Sequence, residues 1–182
     1  SERMWNIQIT QIPCDSSVRA PEGCIQYYSD SIGRMTSFNW DPENKGIHLA
    51  NLEYSICFRN IPGFCSVCLE QCSEMGSFSV DGDQKSANNY NTKRCNKDFL
   101  AIPCGGMKHQ PSELCPYSRF CGGTLNAPVL TSSTDPIKEG TMDPMEVCTS
   151  QKPFVLTFKT DGNEIGDSQS SGFCLLYNQR AC

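Results

Sequence analysis

Histidine is the scarcest chemistry-bearing side chain here, with only His48 and His109 among 182 residues. That scarcity excludes zinc sites built on paired histidines and leaves two imidazoles for any general-base role. No Gly-x-Ser-x-Gly elbow or protease-like cysteine motif accompanies them, and His109 lies in Gly-Gly-Met-Lys-His-Gln-Pro, a solvated-loop composition. Asp81 and Asp83 are neighbouring loop acids without an apolar wall, so acid–base work is not indicated and the chain reads as non-enzymatic. A run of 18 apolar residues is also missing, which excludes a membrane-spanning helix. No Asn-x-Ser/Thr sequon occurs, so N-glycosylation is not expected. Charge of one sign is lacking too: 15 basic and 20 acidic side chains are interspersed for a net charge of -5, and no surface for nucleic acid follows.

Cysteine, by contrast, is abundant at thirteen residues. A reducing cytosol keeps thiols free, so this density predicts a disulfide framework in a secreted, extracellular protein. Zinc would need a second knuckle beside Cys65-Ser-Val-Cys68, and none follows. Iron–sulfur ligation with Cys72 would need a fourth thiolate, and redox exchange at Cys65 and Cys68 would need a thioredoxin-like βαβ context. Thirteen is odd, so at least one sulfur is unpaired or bonded to another chain. Self-association through that cysteine is one expected partnership.

Strand signals recur along the chain. Trp5 to Thr10 alternates apolar and polar residues, and further candidates are 24–28, 35–40, 54–58, 77–80, 98–102, 154–159 and 173–177. Gly, Pro, Asn and Asp clusters separate them. Phe154, Leu156 and Phe158 share one face of their strand, as do Phe173, Leu175 and Tyr177. The fold class expected is all-β: two facing antiparallel sheets, a β-sandwich. Polar residues 81–94 and 125–145 read as long loop insertions; the window 64–75, free of Gly and Pro, is open to one or two helical turns, with its three cysteines expected to pin it to the sandwich. The chain does not open with Met or a basic, apolar leader, and we expect a processed part of a longer precursor.

From Cys95 onward the landmarks run CNKDFLAIPCGG, RFCGG, KPFVLTFKTDGNE and SGFCLLYNQRAC. This order resembles the second half of a CUB domain: Cys-x-x-Asp-x-Leu, a later Phe-Cys-Gly, a strand ending in Ser/Thr-Asp, and a closing Gly-Phe strand. GRMTSF at 33–38 lies where CUB domains carry Gly-x-Ile-x-Ser-Pro, though without the proline, and Tyr54-Ser-Ile-Cys57 resembles the Tyr…Cys-x-Trp strand. The phrases WNIQITQIPC, CDSSVRAPEGCIQYY and LANLEYSICFR resemble a divergent CUB-like family of secreted arthropod proteins, in which two such units occur in tandem.

The resemblance implies a jelly-roll type sandwich at 14–182, with 1–13 an N-terminal strand or the remnant of a preceding CUB-like unit. It implies bridges Cys24–Cys57 and Cys95–Cys121; Cys14 with Cys65 and Cys104 with Cys115 are further expected pairs. It also implies a calcium site, as in many CUB domains, formed by Asp98, Asp161, Asn163 and Asp81, the last standing near the family's Glu position. The alternative for Asp98 and Asp161 is that they bond loop amides as turn-forming aspartates do. The function implied is a protein-interaction module whose loops bind an extracellular partner. A disulfide-linked structural or assembly protein, and a secreted effector such as a toxin or inhibitor, are the other readings.

Overall fold

The computed structural model describes residues 6–43, 46–81, 95–106, 118–126, 144–163 and 170–182. Its strands are β1 (Cys24–Tyr28), β2 (Ile32–Thr36), β3 (Glu53–Phe58), β4 (Phe64–Gln71), β5 (Phe78–Ser79), β6 (Phe99–Ala101), β7 (Arg119–Phe120), β8 (Val147–Thr149), β9 (Val155–Lys159) and β10 (Gly172–Ala181). One sheet has the order β1-β3-β9-β6-β7, and the facing sheet has β2-β10-β4-β8 with β5 also on β10. The period-2 patterns set which side faces in: Leu156 and Phe158 of β9 meet Phe173, Leu175 and Tyr177 of β10, all buried. Among the described residues no helix is long and apolar enough to cross a membrane.

Several expectations are corrected. The sheets are not wholly antiparallel, because β1 pairs β3 in parallel. The chain crosses to the other sheet for β2 and returns through residues 37–52, so β3 runs in the direction of β1. The window 64–75 holds strand β4 rather than helical turns. Its cysteines sit at helical spacings of three and four, but they bond three separate segments, at Cys182, Cys148 and Cys174. Pairing with β10 and β8 on its two sides satisfies the β4 backbone as a strand. The expected strand at 35–40 lies instead at Ile32–Thr36, since a turn follows and Asn39 takes a positive φ of 65°. Residues 6–13 join neither sheet, and Ile7 and Ile9 are 75% and 84% exposed. Alternation alone makes no strand without a neighbour to complete its hydrogen bonds.

Five bridges join described residues, including Cys24–Cys57 and Cys95–Cys121. The expected Cys14–Cys65 pair is a correction: Cys65 bonds Cys182, because β4 and the end of β10 are adjacent strands. Cys14 lies in the exposed N-terminal segment as a free thiol. Cys104 is disulfide-bonded, while Cys115, its expected partner, lies outside the described residues, as do His109, Asp83 and most of both insertions.

Candidate functional site

Residues 37–51 link the two sheets at one end of the sandwich and are fastened at many points. Ser37 Oγ accepts the Phe173 N–H at 2.9 Å, and the His48 N–H donates to the Ser170 carbonyl at 3.0 Å. The Asn39 side-chain amide donates to the Ile47 carbonyl at 2.6 Å, which holds the two limbs of the loop together. Gly46 permits this closure, because a Cβ there would lie 2.1 Å from the Asn39 carbonyl oxygen. Further along, Thr160 Oγ1 donates to the Leu49 carbonyl at 2.7 Å and accepts the Leu52 N–H at 2.8 Å.

Beneath this loop lies a buried imidazole–carboxylate pair. His48 Nε2 is 3.0 Å from Asp98 Oδ2, with side-chain exposures of 1% and 0%. Asp98 Oδ1 accepts the Asp161 N–H at 2.6 Å, and the Asp161 carbonyl in turn accepts the Asn51 N–H at 2.7 Å. One carboxylate thus ties the start of β6 to the turn after β9 and to the loop before β3. Burial pushes the Asp98 carboxyl up, but the His48 hydrogen bond, the Asp161 N–H and the charges of His48 and Lys97 outweigh it and leave the pKa below its ordinary value. So enclosed, His48 has no approach for a substrate and cannot act as an accessible base.

The segment Ile47-His48-Leu49 alternates out, in, out. Ile47 and Leu49 are 40% and 49% exposed while His48 is buried, and Phe38 on the neighbouring limb is 38% exposed. Phe38 stacks obliquely on Tyr54, with centroids 4.8 Å apart, and its N–H donates to the Tyr54 hydroxyl at 3.4 Å. Phe38, Ile47 and Leu49 thus stand partly exposed on a loop whose far end is bonded to the turn after β9 through the Asn51 N–H and the Asp161 carbonyl.

Tyr54 carries a testable signature of this packing. Burial, partly opposed by the Phe38 N–H and reinforced by Tyr28, pushes its phenol from 10.0 to about 12. Below pH 10 the phenol is neutral in both states. Between 10 and about 12 the unfolded phenol ionises while the folded one keeps its proton, so its stabilisation is lost as pH rises through that window. Spectrophotometric titration is expected to show a late tyrosinate phase near pH 12 that Tyr54→Phe removes.

The residues expected to hold calcium are only partly brought together. Asp98 and Asp161 are linked through the latter's amide, and Asp161 Oδ1 accepts the Asn163 N–H at 2.8 Å, a turn-forming use of the side chain. Asp81 follows Val80, which bridges to Gly122, and has a φ of 51°. Among the described residues, the groups of three potential ligand atoms within 4.8 Å of one another are Cys68, Glu146 and Cys148, and Cys72, Glu74 and Cys174. In both groups the cysteines are joined as disulfides and offer no thiolate. Among the described residues, neither of these two groups includes Asp81, Asp98 or Asp161.

A second concavity, an open groove of about 460 Å³ on the outer face of the β2–β10–β4 sheet, is lined by Ile32, Arg34, Glu70, Glu146, Leu176 and Arg180. Arg180 pairs with Glu146 at 2.7 Å and Arg34 with Glu74 at 2.8 Å, so its guanidinium groups are already matched. Sequence reasoning missed His48 as a buried anchor and missed the Phe38, Ile47 and Leu49 face. Alternation in Ile47-His48-Leu49 was the available signal, and it reads in the opposite sense, with the imidazole outward, until Asp98 is placed below it.

The family whose model matches the chain is the animal CUB domain, over residues 21–180. No curated protein matches the chain. Among solved structures, the chain is similar to the CUB1-EGF-CUB2 domains of rat MASP-1 at 16% identity and a TM-score of 0.44, covering 85% of this chain and 42% of that one. It is similar to the CUB1-EGF-CUB2 domain of human MASP-1/3 at 16% identity and a TM-score of 0.43, covering 87% and 43%. The MASP-1 CUB2 domain bound to Ca2+ is 14% identical with a TM-score of 0.39, covering 85% and 98%. The chain thus spans about two-fifths of the first two structures.

Proposed function

Since the chain belongs to the animal CUB domain family, whose members are protein-interaction modules, we propose that it is a secreted, non-enzymatic recognition module that binds an extracellular protein through the loop face of Phe38, Ile47 and Leu49. The arthropod-type secreted branch is the one its N-terminal phrases resemble. The observation that carries the reading is the outward placement of these apolar side chains on a loop fastened to both sheets. A fixed apolar patch loses little conformational entropy on binding and gains from shedding water. Asn51, Asp161 and Asn163, at the loop's far end and in the turn after β9, supply hydrogen-bonding groups that select a partner.

A second reading, covalent assembly, is favoured by the free thiol of Cys14 beside exposed Ile7, Ile9 and Ile12. One experiment separates the two. The chain, immobilised, is exposed to extracellular fluid from its source, and bound proteins are resolved with and without reductant. Ile47→Asp with Leu49→Asp is expected to lower recovery of the bound protein at least tenfold, since burying two charges against an apolar patch costs several kcal/mol. Recovery unaffected by this variant would refute the loop-face reading. A species released only by reductant, and lost in Cys14→Ser, would establish the covalent reading instead.

A further inference from the structure

The Asp98 carboxylate is the group that the family resemblance assigns to calcium, yet its surroundings here are those of an internal anchor. One oxygen faces the His48 imidazole at 3.0 Å, the other receives the Asp161 amide at 2.6 Å, and the side chain has no exposed surface. Three chain segments that a cation would otherwise draw together already meet at this carboxylate: the loop 37–51, the start of β6, and the turn after β9. Asp161, the second acid, spends Oδ1 on the Asn163 amide and its carbonyl on the Asn51 amide. His48 is itself held, by its N–H on Ser170 and by its ring edge-on to Phe158 at 6.2 Å.

We infer that His48 takes the place of a metal ion in this chain, locking the loop end through Asp98 so that the recognition face is formed without calcium. A close imidazole and a divalent cation can do the same work on a buried carboxylate: each sets a polar partner against an oxygen that has lost its water. The imidazole differs in being covalently part of the loop it fastens, so the loop's order does not depend on ion concentration. This inference goes beyond the proposed binding role and stands whether or not the loop face binds a protein.

The test uses the intact chain, with hydrogen exchange at the Asp161 and Asn51 amides and thermal melting, each in EDTA and in millimolar CaCl2. Exchange protection and melting temperature are expected to be the same in the two solutions. In His48→Ala, protection of the Asp161 amide is expected to fall roughly tenfold or more in EDTA, as the carboxylate loses its partner. His48→Phe, which keeps a ring at this position but has no nitrogen to face the carboxylate, serves the same purpose if His48→Ala does not fold, and it should show the same loss. A calcium-dependent rise in melting temperature of the unmodified chain that Asp98→Asn abolishes would overturn the inference. So would full protection of the Asp161 amide in both variants.

Discussion

Replacing Cys72 and Cys174 together with alanine is expected to lower the melting temperature by roughly 10–20 °C. The bridge closes a segment of 102 residues, which the loop-entropy relation converts to about 5 kcal/mol. Both sulfurs are buried, and the strands around them are engaged by backbone bonds from Cys72 N–H to the Cys174 carbonyl at 3.1 Å and from Cys174 N–H to the Ser77 carbonyl at 2.7 Å. Alanine is the informative replacement, because serine would bury two hydroxyl groups and add a separate penalty. The Cys24–Cys57 bridge, with a separation of 33, is expected to contribute about 4 kcal/mol when removed in the same way. Calorimetry of the two double variants checks both the size and the order. A shift under about 3 °C for the Cys72 and Cys174 variant would mean that the sheets, not the cross-link, hold this region.

The second large effect is expected at Phe158, where alanine should cost about 3–5 kcal/mol. Its ring is fully buried and meets Phe173 at 5.2 Å and Tyr54 at 5.8 Å, edge to face in both cases. These contacts join the two sheets, since Phe158 belongs to β9 and Phe173 to β10. They also carry the loop end, because Tyr54 receives the Phe38 amide and His48 lies edge-on to the same ring. Phe158→Leu fills most of the volume and should cost well under half as much. Chemical denaturation measures both variants. A loss below about 1.5 kcal/mol for alanine would show that the core closes over the gap.

Long, strongly patterned strands were legible in the sequence because burial itself writes the pattern. In β9 and β10, one large apolar group at every second position identifies both the strand and its inward face. Strands β7 and β8 were not legible: two or three residues are too few to show a period, and their existence depends on β6 and β4 being nearby. Around β4 the absence of Gly and Pro left helical turns open, and the distant partners of Cys65, Cys68 and Cys72 decided for a strand.

The site divides along the same line. Asp98 and Asp161 stood out as acids in a recognisable frame, but the use of each depends on what arrives from elsewhere in the chain. His48 comes from fifty residues upstream and is the neighbour that makes Asp98 an anchor. No local rule buries a histidine between two aliphatic residues while turning both of them outward. The buried Asp98 carboxylate below makes that inversion favourable.

Strand β10 sits between β2 and β4, pairs with β5, receives the sulfur bond of Cys72 at Cys174, and is followed at once by Cys182, the partner of Cys65. On a ribosome it emerges after the other strands among the described residues, so the β2–β10–β4 sheet stays without its central member until synthesis has passed residue 181. Cys24–Cys57 and Cys95–Cys121 can close while the chain is still growing, but Cys65, Cys68 and Cys72 wait in one another's company for partners 80 to 117 residues away. During that interval their nearest available thiols are the wrong ones. Any wrong pair formed in that interval has to be exchanged for the bonds to Cys182, Cys148 and Cys174 as those partners become available, so these three bridges are the last of the five to settle.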